Sequence, residues 1–389
     1  MPDTPVSPHQ KFMNRALELA RKGWGKTHPN PMVGAVLVEK NEIVAEGYHR
    51  ASGEAHAEIE VLQKVLQPVS GEMVLYVTLE PCSTHGRTGA CTEAIKASGL
   101  KTVVVGALDP NPEHNGKGVE ILRKSGIQVV TGVCEEDCED LNMIFNHWIS
   151  HNSPLIAGKV AISLDGKIAT RNNLSRWITG EEARKDVMRW RRLFPAIAVG
   201  VDTLLQDDPI LTSRTEDEDW CPWRMVMDGM LRSVRSTRKP KLFEDEYRER
   251  TIIVTTESAG MGYVRQLENQ GLRVWCLPGP QTRIGVHALR SRCQEEGIEG
   301  IYLEGGPTLL SGFMEERGVD YMFVYQAPAF FADRKARSVF RGLRTESLED
   351  ILRLRNLRRE TFKQDSLVRG YLDYPERMQI DEALFGNRE

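Results

Sequence analysis

In the first part of the chain, apolar positions alternate between helical and strand periods. Phe12, Ala16, Leu19 and Ala20 share one helical face, which predicts a first helix. The runs 33–38 and 43–48 are rich in strand formers and separated by four polar residues, as in a hairpin. Further helices are expected at 55–66, 91–97, 118–124 and 135–149, and further strands at 73–77, 102–105 and 127–130. Helices alternating with single strands predict an α/β sheet covered on both faces.

A second α/β series begins after Asn152-Ser153-Pro154, whose residues favour a turn. We place a domain boundary there, which gives domains at 1–151 and 152–374 and a polar tail at 375–389. Strands of the second domain are expected at 155–162, 196–200, 224–227, 251–255, 273–277, 300–303 and 321–326, and its clearest helices at 180–193 and 307–317. The polar stretches 212–222 and 232–250 are expected to be surface loops.

Composition supports two ordinary globular domains. The chain has 389 residues, 40% of them hydrophobic and 27% charged, with a formal net charge of −4. This charge does not favour binding to a nucleic-acid backbone. No segment approaches the roughly 20 apolar residues of a membrane helix, and the first ten residues do not resemble a secretion signal. We therefore expect a cytoplasmic protein with neither a nucleic-acid nor a membrane partner.

The seven cysteines favour reduced thiols over a disulfide framework, because they are few, odd in number and scattered. Cys276 and Cys293 are expected to be buried fillers of a strand and a helix. Cys134 and Cys138 are interpreted as ordinary helix positions, because no second metal half-site lies near them in sequence.

Cys82 and Cys91 belong to a candidate zinc site. His56-Ala57-Glu58 begins a helix, Cys82 follows a strand, and Cys91 begins the next helix. One histidine and two cysteines match the three protein ligands of a catalytic zinc, and helix N-termini favour the thiolate form. Glu58 is then free to accept a proton from the metal-bound water and return it to a leaving nitrogen. This order of residues is typical of nucleobase deaminases, although the loop between the cysteines is longer here.

Two polar loops are expected at the same strand ends. One carries Asn30, and the other carries Asp109 and Asn111, whose short polar groups suit the edges of a heterocyclic ring. Asp-Pro and Asn-Pro are also common turn formers, so a purely structural role stays open. The candidate phosphate ligands of this domain are His49, His85 and Arg87.

With these segments, residues 11–372 resemble the bifunctional riboflavin-biosynthesis deaminase-reductase family. The first half carries T-H-P-N-P-M-V-G, H-A-E, P-C-S-T-H-G-R-T-G-A-C and D-P-N-P in the family's order. The second half carries S-L-D-G-K, S-R-W-I-T, V-G-V-D-T-L-L-Q-D-D-P-I-L-T-S-R and E-G-G-P-T. The resemblance implies a cytidine-deaminase-like three-layer α/β/α domain followed by a dihydrofolate-reductase-like α/β domain.

The resemblance also implies two consecutive reactions and two cofactors, Zn²⁺ and NADPH. A diaminopyrimidinone that carries a ribosylamino 5′-phosphate loses an exocyclic amino group as ammonia. The ribosyl group of the product is then reduced with NADPH to a ribityl chain, which gives 5-amino-6-ribitylaminouracil 5′-phosphate. The partner is thus a small pyrimidine ribosyl phosphate, and we expect a homo-oligomer, a dimer or tetramer formed through the reductase domain.

Site residues follow from the matching motifs. In the first domain, zinc is implied on His56, Cys82 and Cys91, with Glu58 as the proton shuttle. In the second, Asp207 is the candidate catalytic residue and also a cofactor position. The implied substrate positions there are Ser175, Arg191, Leu211, Arg214 and Glu304. The implied cofactor positions are Lys159, Ala161, Trp177, Thr179, Thr203, Gly229, Gly305, Gly306, Pro307 and Thr308. Arg191 and Arg214 are expected to offer cations to a substrate phosphate, and the Gly-Gly turn lets a phosphate approach a helix N-terminus.

Two alternatives stay open. Pro328–Arg334 replaces a leucine- and glycine-rich segment of the family, and Gly229 stands where serine is common, so the second domain could be a packing or regulatory partner. The first domain could instead deaminate a free nucleobase or a tRNA base, although a tRNA enzyme should present a basic face beside its site.

Overall fold

The computed structural model describes residues 8–65, 69–84, 89–112, 114–215, 219–279 and 282–380. The chain divides into two compact units, Met1–Asn152 and Ser153–Glu389. In the described part of the chain, no helix combines the length and the apolar character needed to cross a membrane.

The first unit is built on a five-stranded sheet in the order β2-β1-β3-β4-β5. Strand β1 is antiparallel to both β2 and β3, whereas β3, β4 and β5 are parallel. Its elements are α1 (Pro8–Ala20), β1 (Gly34–Glu39), β2 (Glu42–Tyr48), α2 (Ala57–Lys64), β3 (Val74–Leu79), α3 (Cys91–Ser98), β4 (Thr102–Ala107), α4 (Lys117–Lys124), β5 (Gln128–Val130), α5 (Glu135–Leu141) and α6 (Met143–His151).

Both faces of this sheet are covered, because alternate strand residues are buried under different helices. Leu37 and Val105 belong to one apolar cluster with Val61 of α2 and Ile95 of α3. On the other face, the ring of Tyr76 lies 5.2 Å from that of Phe12 in α1. The predicted three-layer α/β/α fold is therefore confirmed.

One expected element of this unit is wrong in its extent. The helix predicted at 135–149 is two helices, α5 and α6, interrupted at Asn142, whose φ and ψ are −110° and 27°. The Asn142 side chain is buried and makes two hydrogen bonds to the backbone of Met32, a partner distant in sequence. Helical periodicity continues through the break, so the sequence pattern does not reveal it.

The second unit is built on a nine-stranded sheet in the order β13-β12-β11-β8-β14-β6-β15-β19-β18. In this order, the first seven strands, β13 through β15, are parallel to one another, and β19 and β18 add an antiparallel hairpin at one edge. The strands are β6 (Leu155–Ser163), β7 (Lys167–Ala169), β8 (Ala196–Gly200), β9 (Ser213–Arg214), β10 (Asp219–Trp220), β11 (Trp223–Met227), β12 (Thr251–Thr256), β13 (Arg273–Leu277), β14 (Gly300–Leu303), β15 (Tyr321–Ala327), β16 (Arg337–Ser338), β17 (Leu343–Arg344), β18 (Arg353–Phe362), β19 (Asp365–Asp373) and β20 (Gln379–Ile380). The helices are α7 (Glu181–Leu193), α8 (Val201–Asp207), α9 (Met261–Glu268), α10 (Val286–Glu295) and α11 (Pro307–Glu315).

Three expectations for this unit need correction. The hairpin of β18 and β19 was not predicted, because β18 is a largely exposed edge strand rich in arginine and lacks an apolar signal. Residues 232–250 are not only surface loop, since Leu242 and Phe243 are buried in a short 3₁₀ helix. Cys276 is exposed, because β13 is the other edge of the sheet, whereas Cys293 is buried as predicted.

Candidate active sites

The first site is a cluster of His56, Cys82 and Cys91. His56 immediately precedes α2 in extended conformation, and Cys91 begins α3. The Nδ1 atom of His56 lies 3.2 Å from Cys91 Sγ and 3.6 Å from Cys82 Sγ. The Cys91 backbone N–H also donates to Cys82 Sγ at 3.3 Å. Two helix starts and the loop after β3 therefore bring the three predicted ligands together.

This donor set fits a tetrahedral zinc ion. The three donor atoms all lie within 4.8 Å of one another. Bond lengths of about 2.3 Å to sulfur and about 2.0–2.1 Å to nitrogen at a tetrahedral angle separate the two donors by roughly 3.6 Å. The observed N···S distances of 3.2 and 3.6 Å are close to that value. Imidazole with thiolate is also a donor set that zinc favours.

Electrostatics in the cluster favour a thiolate beside a protonatable carboxyl group. The pKa of Cys82 is lowered to about 4, mainly by a hydrogen bond from the Cys91 thiol and further by His56. Glu58 is 3% exposed, and its burial raises the pKa of its carboxyl group to about 7. A carboxyl group with that pKa can both accept and release a proton near neutral pH.

Asn30 and His49 lie together beside the metal cluster. His49 is buried and its Nδ1 lies 3.1 Å from the carbonyl oxygen of Ala55, to which it donates. Burial lowers the pKa of His49, so the neutral ring is favoured and its Nε2 accepts from the Asn30 amide at 3.2 Å. The His49 ring is 5.6 Å from that of His56. Asn142, which the sequence analysis did not identify as a site residue, makes two hydrogen bonds to the backbone of Met32, two residues after Asn30.

Asp109 and Asn111 lie on the loop that follows β4. Asp109 Oδ1 accepts a hydrogen bond from the Asn111 backbone at 2.9 Å. Burial raises the pKa of Asp109, and the charges of Glu80 and Cys82 add to the increase. The other two predicted substrate ligands, His85 and Arg87, lie outside the described residues.

The second site contains a largely buried ionic cluster on adjacent strands and α7. Glu304 directly follows β14, and Lys159 lies on the neighbouring strand β6. The Arg191 guanidinium donates to Glu304 at 2.5 and 3.1 Å, and Lys159 Nζ lies 3.7 Å from the same carboxylate. A third Arg191 nitrogen donates to the Thr212 carbonyl at 3.0 Å. Arg191 therefore holds Glu304 in this structure, and its expected role as a cation for a substrate phosphate stays a prediction.

Charge pairing offsets the cost of burying this cluster. Burial would raise the pKa of Glu304, but Arg191 and Lys159 hold it below its usual value. Burial lowers the pKa of Lys159. Burial alone would lower the pKa of Arg191 as well, but the charge of Glu304 and its hydrogen bonds together raise it above the usual value. The result is one largely buried carboxylate held between two cationic side chains.

The Gly-Gly turn lies beside the start of α8. A Cβ atom placed on Gly306 would be 3.8 Å from Thr203 Oγ1, so these two predicted cofactor positions are adjacent. Pro307 is the first residue of α11, and Thr308 follows it. The turn and α8 follow the neighbouring parallel strands β14 and β8, and this end of a parallel sheet is where ligands bind in open α/β folds.

The loop before α7 carries three more predicted positions. Trp177 is 69% exposed, and the Arg184 guanidinium lies 4.6 Å from its ring centroid. Thr179 is buried and its carbonyl accepts from Arg184, while Ser175 is half-buried. Trp177 is thus exposed at the surface with the guanidinium groups of Arg184 and Arg176 beside its ring.

The remaining predicted positions differ in exposure. Asp207 ends α8, and its carbonyl accepts a hydrogen bond from Arg176 at 2.8 Å. Leu211 is buried with a φ of 56°, and Arg214 is exposed on β9. Ala161 is half-buried on β6.

Two family departures have defined surroundings. Gly229 packs so closely that an added Cβ would lie 1.9 Å from the Thr282 carbonyl oxygen. The segment 328–334 is anchored by Asp165, whose carboxylate accepts from the backbone of Phe331 and Ala332 at 3.1 and 3.0 Å. Arg171 also pairs with Asp333 at 2.7 Å. Residues 328–334 therefore bind through hydrogen bonds and an ion pair to the first part of the second unit.

Both units of the chain match known protein families. Residues 6–107 match the cytidine and deoxycytidylate deaminase zinc-binding region, and residues 154–368 match the RibD C-terminal domain. Riboflavin biosynthesis protein RibD from Aquifex aeolicus is 38% identical, covering 92% of this chain and 97% of the relative. The chain belongs to the RibD family. RibD from Actinobacillus pleuropneumoniae is 37% identical, covering 92% of this chain and 93% of its own.

Solved RibD structures share the fold along nearly the whole chain. Acinetobacter baumannii RibD has a TM-score of 0.77 at 32% identity, covering 95% of this chain and 99% of its own. The Thermotoga maritima diaminohydroxyphosphoribosylaminopyrimidine deaminase/5-amino-6-(5-phosphoribosylamino)uracil reductase has a TM-score of 0.76 at 31% identity, covering 95% and 100%. The predicted riboflavin-biosynthesis family, its deaminase and reductase domains and its cofactors, zinc and NADPH, are confirmed by this membership.

Proposed function

We propose that this chain catalyses two consecutive steps on one ribosylaminopyrimidine phosphate. The first unit replaces an exocyclic ring amino group by oxygen and releases ammonia. The second unit reduces the ribosyl group to ribityl. The observation that carries the proposal is the cluster of His56, Cys82 and Cys91 beside the buried Glu58, in a chain of the RibD family.

In the deamination step, Glu58 manages the protons. Its carboxylate accepts one from the attacking water and delivers it to the amino nitrogen that leaves as ammonia, for which a pKa near 7 is well matched. Zinc held by His56, Cys82 and Cys91 would supply a Lewis acid that makes water nucleophilic at neutral pH. Asn30, Asp109 and Asn111 offer donors and acceptors to the edges of the pyrimidine ring.

In the reduction step, the protein binds and orients both reactants. NADPH supplies the hydride, and the chain supplies the geometry. The bare Gly305-Gly306 turn and the N-terminus of α11 accommodate a cofactor phosphate. Glu304, held by Arg191 and Lys159, offers a fixed carboxylate to sugar hydroxyls, and Asp207 at the end of α8 is the proposed proton donor to the sugar.

The test is an assay of the full chain with the ribosylaminopyrimidine phosphate, following zinc content, ammonia release and NADPH oxidation. We expect Glu58→Ala to keep zinc and lose ammonia release, yet still oxidise NADPH when given the deaminated intermediate. Glu93→Ala, which removes an exposed carboxylate on α3, is the matched control and should keep both activities. Ammonia release by Glu58→Ala would refute the proton-shuttle role.

The alternatives have distinct outcomes in the same assay. A regulatory second unit would release ammonia without oxidising NADPH, and a nucleobase or tRNA deaminase would act on cytosine, guanine or tRNA instead. The absence of a nucleic-acid partner, a dimer or tetramer formed through the second unit and a cytoplasmic location remain predictions. Gel filtration with light scattering, on the full chain and on the second unit, tests the oligomeric state.

A further inference from the structure

Glu80 is a buried carboxylate that directly follows strand β3 and is 6% exposed. Its Oε2 accepts hydrogen bonds from the backbone N–H groups of Asp109 and Gly116, at 3.0 and 2.9 Å. Its Oε1 accepts from the backbone N–H of Val119 at 3.0 Å. Both oxygens of one side chain are therefore directed at the backbone of a single segment, 109–119.

This segment carries two of the proposed ring-binding residues. Asp109 is held by Glu80 through its own backbone N–H, and its side chain accepts from the Asn111 backbone at 2.9 Å. The Asn111 carbonyl in turn accepts from the backbone of His114 and Asn115, both at 2.8 Å. The position of Asn111 thus depends on a short chain of hydrogen bonds that begins at Glu80.

The other end of Glu80 is continuous with the metal cluster. Pro81 and Cys82 follow it directly, and the Glu80 backbone N–H donates to the Ala107 carbonyl at 2.9 Å. The start of α4 packs tightly against the backbone between Glu80 and Cys82, since a Cβ on Gly118 would lie 2.2 Å from the Pro81 carbonyl oxygen. The segment of Cys82 and the loop of Asp109 are therefore joined with little freedom to move separately.

We propose that Glu80 is a positioning residue for deamination, which sets the ring-binding loop of Asp109 and Asn111 relative to the metal ligand Cys82. This inference rests on the proposed function of the first unit. Glu80 acts through the loop and does not touch the reacting atoms. Deamination depends on such placement, because the reacting carbon must lie within near-attack distance of the nucleophile.

The variant that tests this is Glu80→Gln, assayed in the full chain. The amide has one acceptor oxygen instead of two, so its NH₂ group faces one of the three backbone N–H groups and that bond is lost. We expect kcat/KM for ammonia release to fall roughly tenfold, the size of one lost charge-assisted hydrogen bond, mainly through a lower kcat. Zinc content and NADPH oxidation of the deaminated intermediate should stay unchanged. The control is Glu120→Gln, an exposed carboxylate on α4.

A double-mutant cycle separates positioning from general destabilisation. If Glu80 acts through the loop, Glu80→Gln should cost less than threefold in an Asn111→Ala background, because the group that it positions is gone. The same tenfold loss in both backgrounds, or unchanged kinetics in Glu80→Gln, would overturn the inference. If the wild-type chain releases no ammonia from this substrate, the proposed function fails instead.

A measurement on the wild-type chain covers the case in which Glu80→Gln does not fold. The backbone N–H groups of Asp109, Gly116 and Val119 should exchange with solvent slowly and at similar rates, since one carboxylate holds all three. Exchange of the Asp109 and Gly116 N–H groups as fast as that of exposed loops would overturn the inference without any variant.

Discussion

The guanidinium of Arg191 donates two hydrogen bonds to the carboxylate of Glu304, with N···O distances of 2.5 and 3.1 Å. Both side chains are 12% exposed, so the pair is largely removed from water. A buried carboxylate that loses its partner keeps its desolvation cost without the compensating charge. The pair therefore matters to stability as well as to the candidate reductase site.

We expect Arg191→Ala to lower the free energy of unfolding of the second unit by roughly 3 kcal/mol, since Lys159 compensates only in part at 3.7 Å. Urea unfolding followed by tryptophan fluorescence is suitable, because five of the seven tryptophans lie in this unit. Arg344→Ala, which breaks an exposed pair with Glu346, should cost less than about 1 kcal/mol. Equal losses in the two variants would contradict the prediction.

Removal of one thiolate should abolish zinc binding and deamination together. We expect Cys82→Ser to hold much less than one zinc per chain and to release no ammonia, while the second unit still oxidises NADPH with the deaminated intermediate. Zinc content by elemental analysis and the two assays provide the measurement. Cys134→Ser, at a half-exposed thiol outside the cluster, is the control and should keep zinc and both activities.

Asp186 gives the stability of the second unit a defined pH dependence. Burial raises the pKa of its carboxyl group above the ordinary value of 3.8, and its Oδ2 accepts from both Trp190 and Tyr325. A raised pKa in the folded state stabilises the fold only while the group is protonated, so this contribution is lost as pH rises through the folded pKa.

Asp186→Asn can keep both hydrogen bonds through its amide oxygen without ionising. We expect the free energy of unfolding of Asp186→Asn, relative to that of wild type, to increase as pH rises from about 4 towards neutral, because only the wild-type side chain ionises. Urea unfolding at several pH values measures this difference. A constant difference across that range would show that Asp186 does not titrate with a raised pKa.

Gly229 should not tolerate a side chain. A Cβ there would lie 1.9 Å from a backbone carbonyl oxygen, so Gly229→Ala should lower the free energy of unfolding by about 1–3 kcal/mol. Gly262→Ala in α9 is the matched control, since outside its own helix no described atom lies within 4 Å of its added Cβ and alanine favours a helix. In urea unfolding, the free energy of unfolding should therefore fall below the wild-type value in Gly229→Ala and rise above it in Gly262→Ala. An unchanged free energy of unfolding in Gly229→Ala would contradict the packing.

The sequence predicted the main strands of both units well because those strands are buried and strongly apolar. It failed where the local pattern carries no such signal. The edge strand β18 is largely exposed and rich in arginine, and its pairing with β19 supplies the order that its own residues do not indicate. Asn142 interrupts an otherwise helical pattern because its partner is the backbone at Met32, which no local pattern records.

By itself, the sequence determined the family, and it predicted the two-unit division and a metal site of His56, Cys82 and Cys91 with the adjacent Glu58. Those conclusions need only residue types in a given order next to predicted strand and helix ends. The tertiary structure alone decided that Glu80 holds the loop of Asp109 and that Arg191 faces Glu304, 113 residues away in the chain. Such contacts depend on where separate strands end in space, which short-range hydrophobic periodicity does not encode.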